Sequence, residues 1–185
     1  MGQSLVTHPE DTCYYDIETT NLNANYGLVL CAVVKPKRMP WKVFKLDLTK
    51  NGIRDEDKTL IKEIIKELEQ YEFLVTYNGV NFDNKYINTR AMYHRLRPLS
   101  EKLQIDLLQV TRRIMRTNNR RLDTIVNFLG LEERKTPIEP EYWRWAMLGD
   151  QKAMSRVVTH CIQDVLTLEE VHQRLAPFVK NVRRR

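Results

Sequence analysis

No apolar run in the chain approaches the ~18–20 residues that a membrane-crossing helix requires, and the first residues offer neither a basic stretch nor an apolar core resembling a secretion signal. Cysteine is scarce: Cys13, Cys31 and Cys161 are far apart and form no C-x-x-C pair, which argues against a disulfide framework and against a zinc site. There is no linker rich in Gly, Ser or Pro and no low-complexity tract. The 185 residues are therefore expected to form one domain with its own core, residues 1–11 being a flexible lead-in and 180–185 a flexible basic tail. These absences imply a soluble cytoplasmic protein with no membrane partner.

Basic residues are missing from positions 1–34, which contain four acids, Glu10, Asp11, Asp16 and Glu18. The net charge of +6 is thus carried entirely by residues 35–185, leaving an acidic centre set in a basic body. Such a balance suits a polyanionic substrate drawn toward bound cations.

What the sequence does have is the stretch Tyr14-Tyr15-Asp16-Ile17-Glu18-Thr19-Thr20, two carboxylates in an apolar, aromatic run. On a strand, Asp16 and Glu18 point the same way about 6–7 Å apart. Two like charges on one surface require a cation, and oxygen ligands suit Mg²⁺ or Mn²⁺.

Strands are expected over Thr12–Ile17, Leu28–Val34 and Trp41–Leu46, with turn residues at 21–27 between the first two. A helix capped by Asp55 is expected to run to about Gln70, with Leu60, Ile61, Ile64, Ile65 and Leu68 at helical spacing. A short strand Phe73–Tyr77 then leads through Asn78-Gly79-Val80-Asn81-Phe82 into a helix opening at Asp83. Leu103–Leu108 reads as a strand passing into a helix, Leu122–Leu129 as another helix, and Glu132–Glu141 as an irregular loop. The last helix spans about Asp150–Leu175. At about 100° per residue, Val157, Cys161, Val165, Leu168, Val171 and Leu175 form one apolar stripe, and Asp164 falls inside it with His160 beside it. An ionised carboxylate on a buried face needs a partner or a metal.

The stretches YYDIETT, TYNGVNFD and HCIQD resemble, in order and spacing, the three motifs of the DEDD superfamily of 3′–5′ exonucleases, above all the proofreading domains of family B DNA polymerases and small stand-alone relatives. The resemblance covers about Thr12–Leu175. It implies an α/β ribonuclease-H-like fold, with a mixed five-stranded sheet flanked by helices, in which Asp16, Glu18, Asp83 and Asp164 hold two divalent metal ions, Mg²⁺ or Mn²⁺. It implies a phosphodiester hydrolase acting on the free 3′ end of single-stranded nucleic acid, DNA in preference to RNA, and releasing 5′-nucleoside monophosphates. A replication or repair protein is the implied partner. Thr19, Asn78 and Phe82 would shape the pocket for the terminal nucleotide.

One position departs from the family. Its members carry either Tyr four residues before the last Asp or His five before it, and here His160 takes the tyrosine spacing. A histidine exchanges a proton near neutral pH, whereas a tyrosine, titrating near pH 10, mainly orients water. Arg112 and Arg116, with Arg113, Arg120 and Arg121, are candidates for tracking phosphates. Tyr14, Trp143 and Trp145 are expected in the core rather than stacked on bases. A structure-selective endonuclease on the same scaffold and a catalytically weak nucleic-acid-binding module are the rival readings.

Overall fold

The computed structural model describes residues 11–48, 55–131, 137–179 and 183–184. The expected lead-in, apart from Asp11, and most of the basic tail lie outside this set, as do residues 132–136 of the expected loop. β1 (Thr12–Thr19), β2 (Val29–Pro36) and β3 (Lys42–Lys45) form an antiparallel meander. Helix α1 (Lys58–Leu68) then carries the chain back across the sheet, so that β4 (Phe73–Thr76) lies parallel beside β1. α2 (Asp83–Tyr93) makes the next crossover, to β5 (Leu103–Asp106), parallel to β4. α3 (Leu107–Ile114), α4 (Leu122–Phe128), α5 (Glu141–Met147) and the long α6 (Gln151–Leu175) complete the chain. The sheet order is β3-β2-β1-β4-β5-β6. Five strands were expected; the sixth, β6, is the pair Arg183–Arg184, which joins the β5 edge antiparallel, Leu103 opposite Arg184.

β2 is buried along its whole length because the sheet is covered on both faces, by α6 and α5 on one side and by α1, with α2 packed against it, on the other. α1 buries its apolar stripe as its spacing demands, together with Glu67, which accepts from Lys42 Nζ and from the Tyr71 hydroxyl, each at 2.7 Å. Asp57, rather than Asp55, precedes the first helical residue of α1, and Asp55 accepts from the Thr59 amide at 3.2 Å. α6 is capped by Asp150, whose side chain accepts from the Ala153 amide at 2.8 Å, and all six residues of its stripe are buried.

α5 has no counterpart in the sequence expectations. Its register also corrects the assignment of the tryptophans: Trp145 is 47% exposed, and Trp143 is only half-buried. Residues two apart on a helix point to different sides, so a Trp-Arg-Trp segment places one ring inward and the other toward solvent. Tyr14 is fully buried in the core. Among the described residues no helix is long and apolar enough to cross a membrane.

Candidate functional site

The even-numbered side chains at the end of β1 face α6. Oxygens of Asp16 and Glu18 and the Cys161 sulfur lie within 4.8 Å of one another, as do ligand atoms of Glu18, His160 and Asp164. The Cys161 thiol donates to the Asp16 carbonyl at 3.4 Å and to Asp16 Oδ2 at 3.5 Å, so α6 is tied to β1 at the carboxylate itself. Asp83 arrives from the other direction. As the first residue of α2 it is fully buried, and its Oδ1 accepts from the Ile17 amide at 3.1 Å, between the two acids of β1. Three elements thus deliver four carboxylates to one place.

The electrostatic consequence falls on Asp16. Burial, followed by the charges of Asp83, Glu18 and Asp164, pushes its carboxyl well above the ordinary range. Burial likewise raises Asp83 to about 7, against the lowering pull of two backbone amides. The Cys161 thiol is raised by burial, by Cys31 and by the two β1 acids, which keeps it a neutral donor.

His160 Nε2 stands 3.7 Å from Asp164 Oδ2 and 3.9 Å from Glu18 Oε1, and its Nδ1 is buried with no hydrogen-bond partner among the described residues. The Trp143 indole N–H donates to Glu18 Oε2 at 2.7 Å, and its ring meets His160 edge-on, centroids 5.8 Å apart. A cleft of about 480 Å³ opens beside these groups, lined by Glu18, Thr19, Phe82, Ile138, Pro140 and Trp143 among others. Thr19 and Phe82, singled out from the sequence for substrate, therefore line the space next to the carboxylates.

Asn78 sits elsewhere. It adopts φ 69°, and its amide donates to Asp106 Oδ1 at 2.9 Å, while the Val80 amide donates to Asp106 Oδ2 at 3.3 Å. A Cβ on Gly79 would come within 2.5 Å of the Thr76 side chain, so this turn requires glycine. Asn78 thus shapes the turn that delivers Asp83 and does not line the cleft. Arg112 and Arg116 are exposed, on α3 and just beyond it, and also lie outside the cleft.

Sequence reasoning missed three contributors: Trp143, Cys161 as a donor to Asp16, and Asp106. Asp106 also accepts from the Leu108 amide at 3.0 Å, capping α3, and the only trace of that in the sequence is an acid at a strand-to-helix junction.

The donor set fits divalent cations. Four converging carboxylates, one of them raised by burial and then by the other three, favour hard cations that take oxygen ligands. A separate group, Glu56, Asp57 and His94, does not, because the Arg90 guanidinium already neutralises it: Arg90 Nη2 lies 2.7 Å from Asp57 Oδ1 and 2.5 Å from Glu56 Oε2.

A family model for the RNase H superfamily matches residues 13–176. A DNA polymerase of Methanocaldococcus jannaschii is 29% identical over 111 residues, covering 47% of this chain and 7% of the polymerase. A PolC-type DNA polymerase III of Ureaplasma parvum serovar 3 is 39% identical over 75 residues, covering 40% of this chain and 5% of its own length. The chain thus spans less than a tenth of the curated relatives it matches. In three dimensions it is similar to the family B DNA polymerase of the hyperthermophilic archaeon Pyrobaculum calidifontis, with TM-score 0.72 and 20% identity over 90% of this chain and 24% of that one, which is a likeness of fold.

Proposed function

The chain belongs to the RNase H superfamily, and from that premise we propose that it is a metal-dependent 3′–5′ exonuclease that removes nucleotides from the free 3′ end of single-stranded DNA, and of RNA less readily. The observation that carries the reading is the convergence of Asp16, Glu18, Asp83 and Asp164 beside an open cleft, with Asp16 buried in a field of carboxylates that bound cations would relieve. The likeness to DNA polymerases supports nucleic acid, and DNA in particular, as substrate. Their polymerising activity does not transfer, because the chain covers so little of them. The setting is the cytoplasm, beside a replication or repair protein.

Two divalent cations, Mg²⁺ or Mn²⁺, held by the four carboxylates would polarise the terminal phosphodiester and offset the charge that develops on it. The chain's own groups do the rest. Thr19 and Phe82 position the terminal nucleoside in the cleft. The Trp143 N–H fixes the Glu18 carboxylate. His160 Nε2, between Glu18 and Asp164, orients the attacking water and takes its proton as the water oxygen bonds to phosphorus. The bond from phosphorus to the 3′ oxygen breaks, that oxygen gains a proton, and the products are a 5′-nucleoside monophosphate and a strand one nucleotide shorter.

The test is incubation of 5′-labelled single-stranded DNA and RNA with Mg²⁺ or Mn²⁺, beside 3′-blocked strands and Asp16→Asn. A metal-dependent ladder shortening from the 3′ end, lost with the block and with the variant, is expected. Internal cuts in blocked strands would replace this reading with an endonuclease, and binding without cleavage would replace it with a binding module.

A further inference from the structure

The end of the sheet that carries the carboxylates continues past them toward β5. Tyr14 is opposite Val75 in the parallel β1–β4 pairing, so Tyr77, two residues on, stands level with Asp16 one strand away. The Tyr77 hydroxyl donates to the Arg120 carbonyl at 2.7 Å, and Asp106, which ends β5 and holds the Asn78 turn, caps α3. α3 and the segment that follows it to Arg121 thus border the carboxylates on the β5 side, away from the cleft. Neighbouring strands lie about 4.8 Å apart, which sets this border about 10 Å from Asp16.

The border carries charge of one sign. Between Asp106 and Asp123 there are five arginines, no lysine and no acid. Arg112, Arg113, Arg116 and Arg121 are exposed, because α3 turns Leu107, Leu108, Val110 and Thr111 inward. Arg112, Arg116 and Arg121 form no ion pair with a described residue.

The other two arginines hold the backbone in place. Arg113 Nη2 donates to the Phe178 carbonyl at 2.6 Å, and Arg120 Nη2 donates to the Met115 carbonyl at 3.4 Å. Asn119 Oδ1 accepts from the Arg121 amide at 3.0 Å and from the Thr124 hydroxyl at 2.7 Å. These bonds fix the segment without neutralising it.

A guanidinium matches phosphate oxygens in pairs, as a lysine ammonium does not. The segment has no aromatic residue on which an unpaired base could stack, and Phe178 is bonded to it through its backbone. Such a surface reads phosphates and leaves bases alone, which suits a duplex, whose bases are turned inward. Acidic protein would also answer the charge, but continuity with a site for phosphodiesters favours nucleic acid.

Resting on the exonuclease reading, we infer that Arg112, Arg116 and Arg121 bind the phosphate backbone of a double-stranded part of the substrate, so that the 3′ end entering the cleft is the unpaired tail of a duplex. About 10 Å corresponds to about three steps of 3.4 Å, so the paired region begins a few nucleotides from the scissile bond.

The test is fluorescence anisotropy in buffer containing a chelator, with two labelled probes: a DNA hairpin bearing an unpaired 3′ tail, and the tail alone. The parent is expected to bind the hairpin more tightly. Arg112→Gln/Arg116→Gln/Arg121→Gln is expected to weaken hairpin binding about tenfold or more and tail binding no more than about twofold. Its slope of log affinity against log salt on the hairpin should be shallower by about 2.7, three phosphates at about 0.9 each. The corresponding triple lysine variant keeps the charge and should keep the parent's slope. Equal losses on both probes, a slope unchanged by glutamine or lost with lysine, or parent binding as tight for the tail as for the hairpin would overturn the surface. If the parent shortens no 3′ end when metal is supplied, the exonuclease reading falls alone, because the binding comparison involves no turnover and still decides the surface.

Discussion

The indole N–H of Trp143 reaches across from α5 to Glu18 Oε2 at 2.7 Å, joining residues 125 positions apart. One carboxylate oxygen is thereby committed to the protein, and Oε1 is left facing His160. Trp143→Phe keeps the ring and its edge-on packing but deletes the donor. A hydrogen bond to a charged group contributes about 1.5–3 kcal/mol, so turnover should fall at least tenfold and the metal concentration for half-maximal rate should rise. Metal titrations of the two proteins, read by activity and by tryptophan fluorescence, check this; equal metal dependence would remove Trp143 from the site.

Asp16→Asn should abolish turnover yet raise the melting temperature of the metal-free protein at pH 7.5 by about 3 °C. The folded-state pKa of Asp83 is raised to about 7 and that of Asp16 well above its ordinary range, so their contribution to stability is full below pH ~3.8 and is lost as pH rises, for Asp83 through about 7. Divalent cations should restore the parent at high pH and do much less for the variant. A lower melting temperature for Asp16→Asn would count against mutual repulsion.

His172 titrates with the opposite sign. Burial, aided by Lys37, lowers its pKa to about 4, and its Nδ1 lies 3.0 Å from the Tyr14 hydroxyl. Its contribution is complete above pH ~6.5 and is lost as pH falls through about 4. Between pH 7 and 4.5 the parent should lose about 2 kcal/mol more unfolding free energy than His172→Gln, as measured by urea denaturation. The carboxylate contributions are common to both proteins and cancel.

Arg90 is buried with its guanidinium on Asp57 and its face 4.6 Å from the Tyr93 ring centre. Arg90→Leu strands the Asp57 charge in the interior and should cost about 3–5 kcal/mol. Adding Asp57→Asn should recover part of that loss. Thermal melts of the single and double variants decide; additive losses would mean the pair is not coupled.

His160→Tyr restores the residue that the resembling family carries at this spacing. If His160 takes the proton, the pH–rate profiles of parent and variant should differ in shape beyond the acid-side loss that the shared carboxylates impose on both. Superimposable profiles would leave His160 with an orienting role alone.

The parts of the site written in periodic patterns were legible in the sequence. Strand alternation put Asp16 and Glu18 on one face, and the helical wheel placed Asp164 on a buried stripe; both follow from local geometry that tertiary packing did not override. α6 could be bounded at Asp150 because its cap is a neighbour in sequence. Trp143, the bond from Asp106 to the Asn78 turn, and the Arg90–Asp57–His94 cluster were not legible, since each joins distant segments and leaves no periodic trace. The arginines from Arg112 to Arg121 show the same limit from the other side: composition reveals that charge is present but not which surface it faces.

α6 is at once the wall of the core and the carrier of His160 and Asp164, which sit in the middle of its 25 residues and well away from either end. Fraying of its termini cannot reach them, and no hinge separates the catalytic pair from the buried stripe. Under the proposed function, motion within α6 itself would not separate His160 from Asp164. The proposed activity would then be set by the supply of cations and of accessible strand ends.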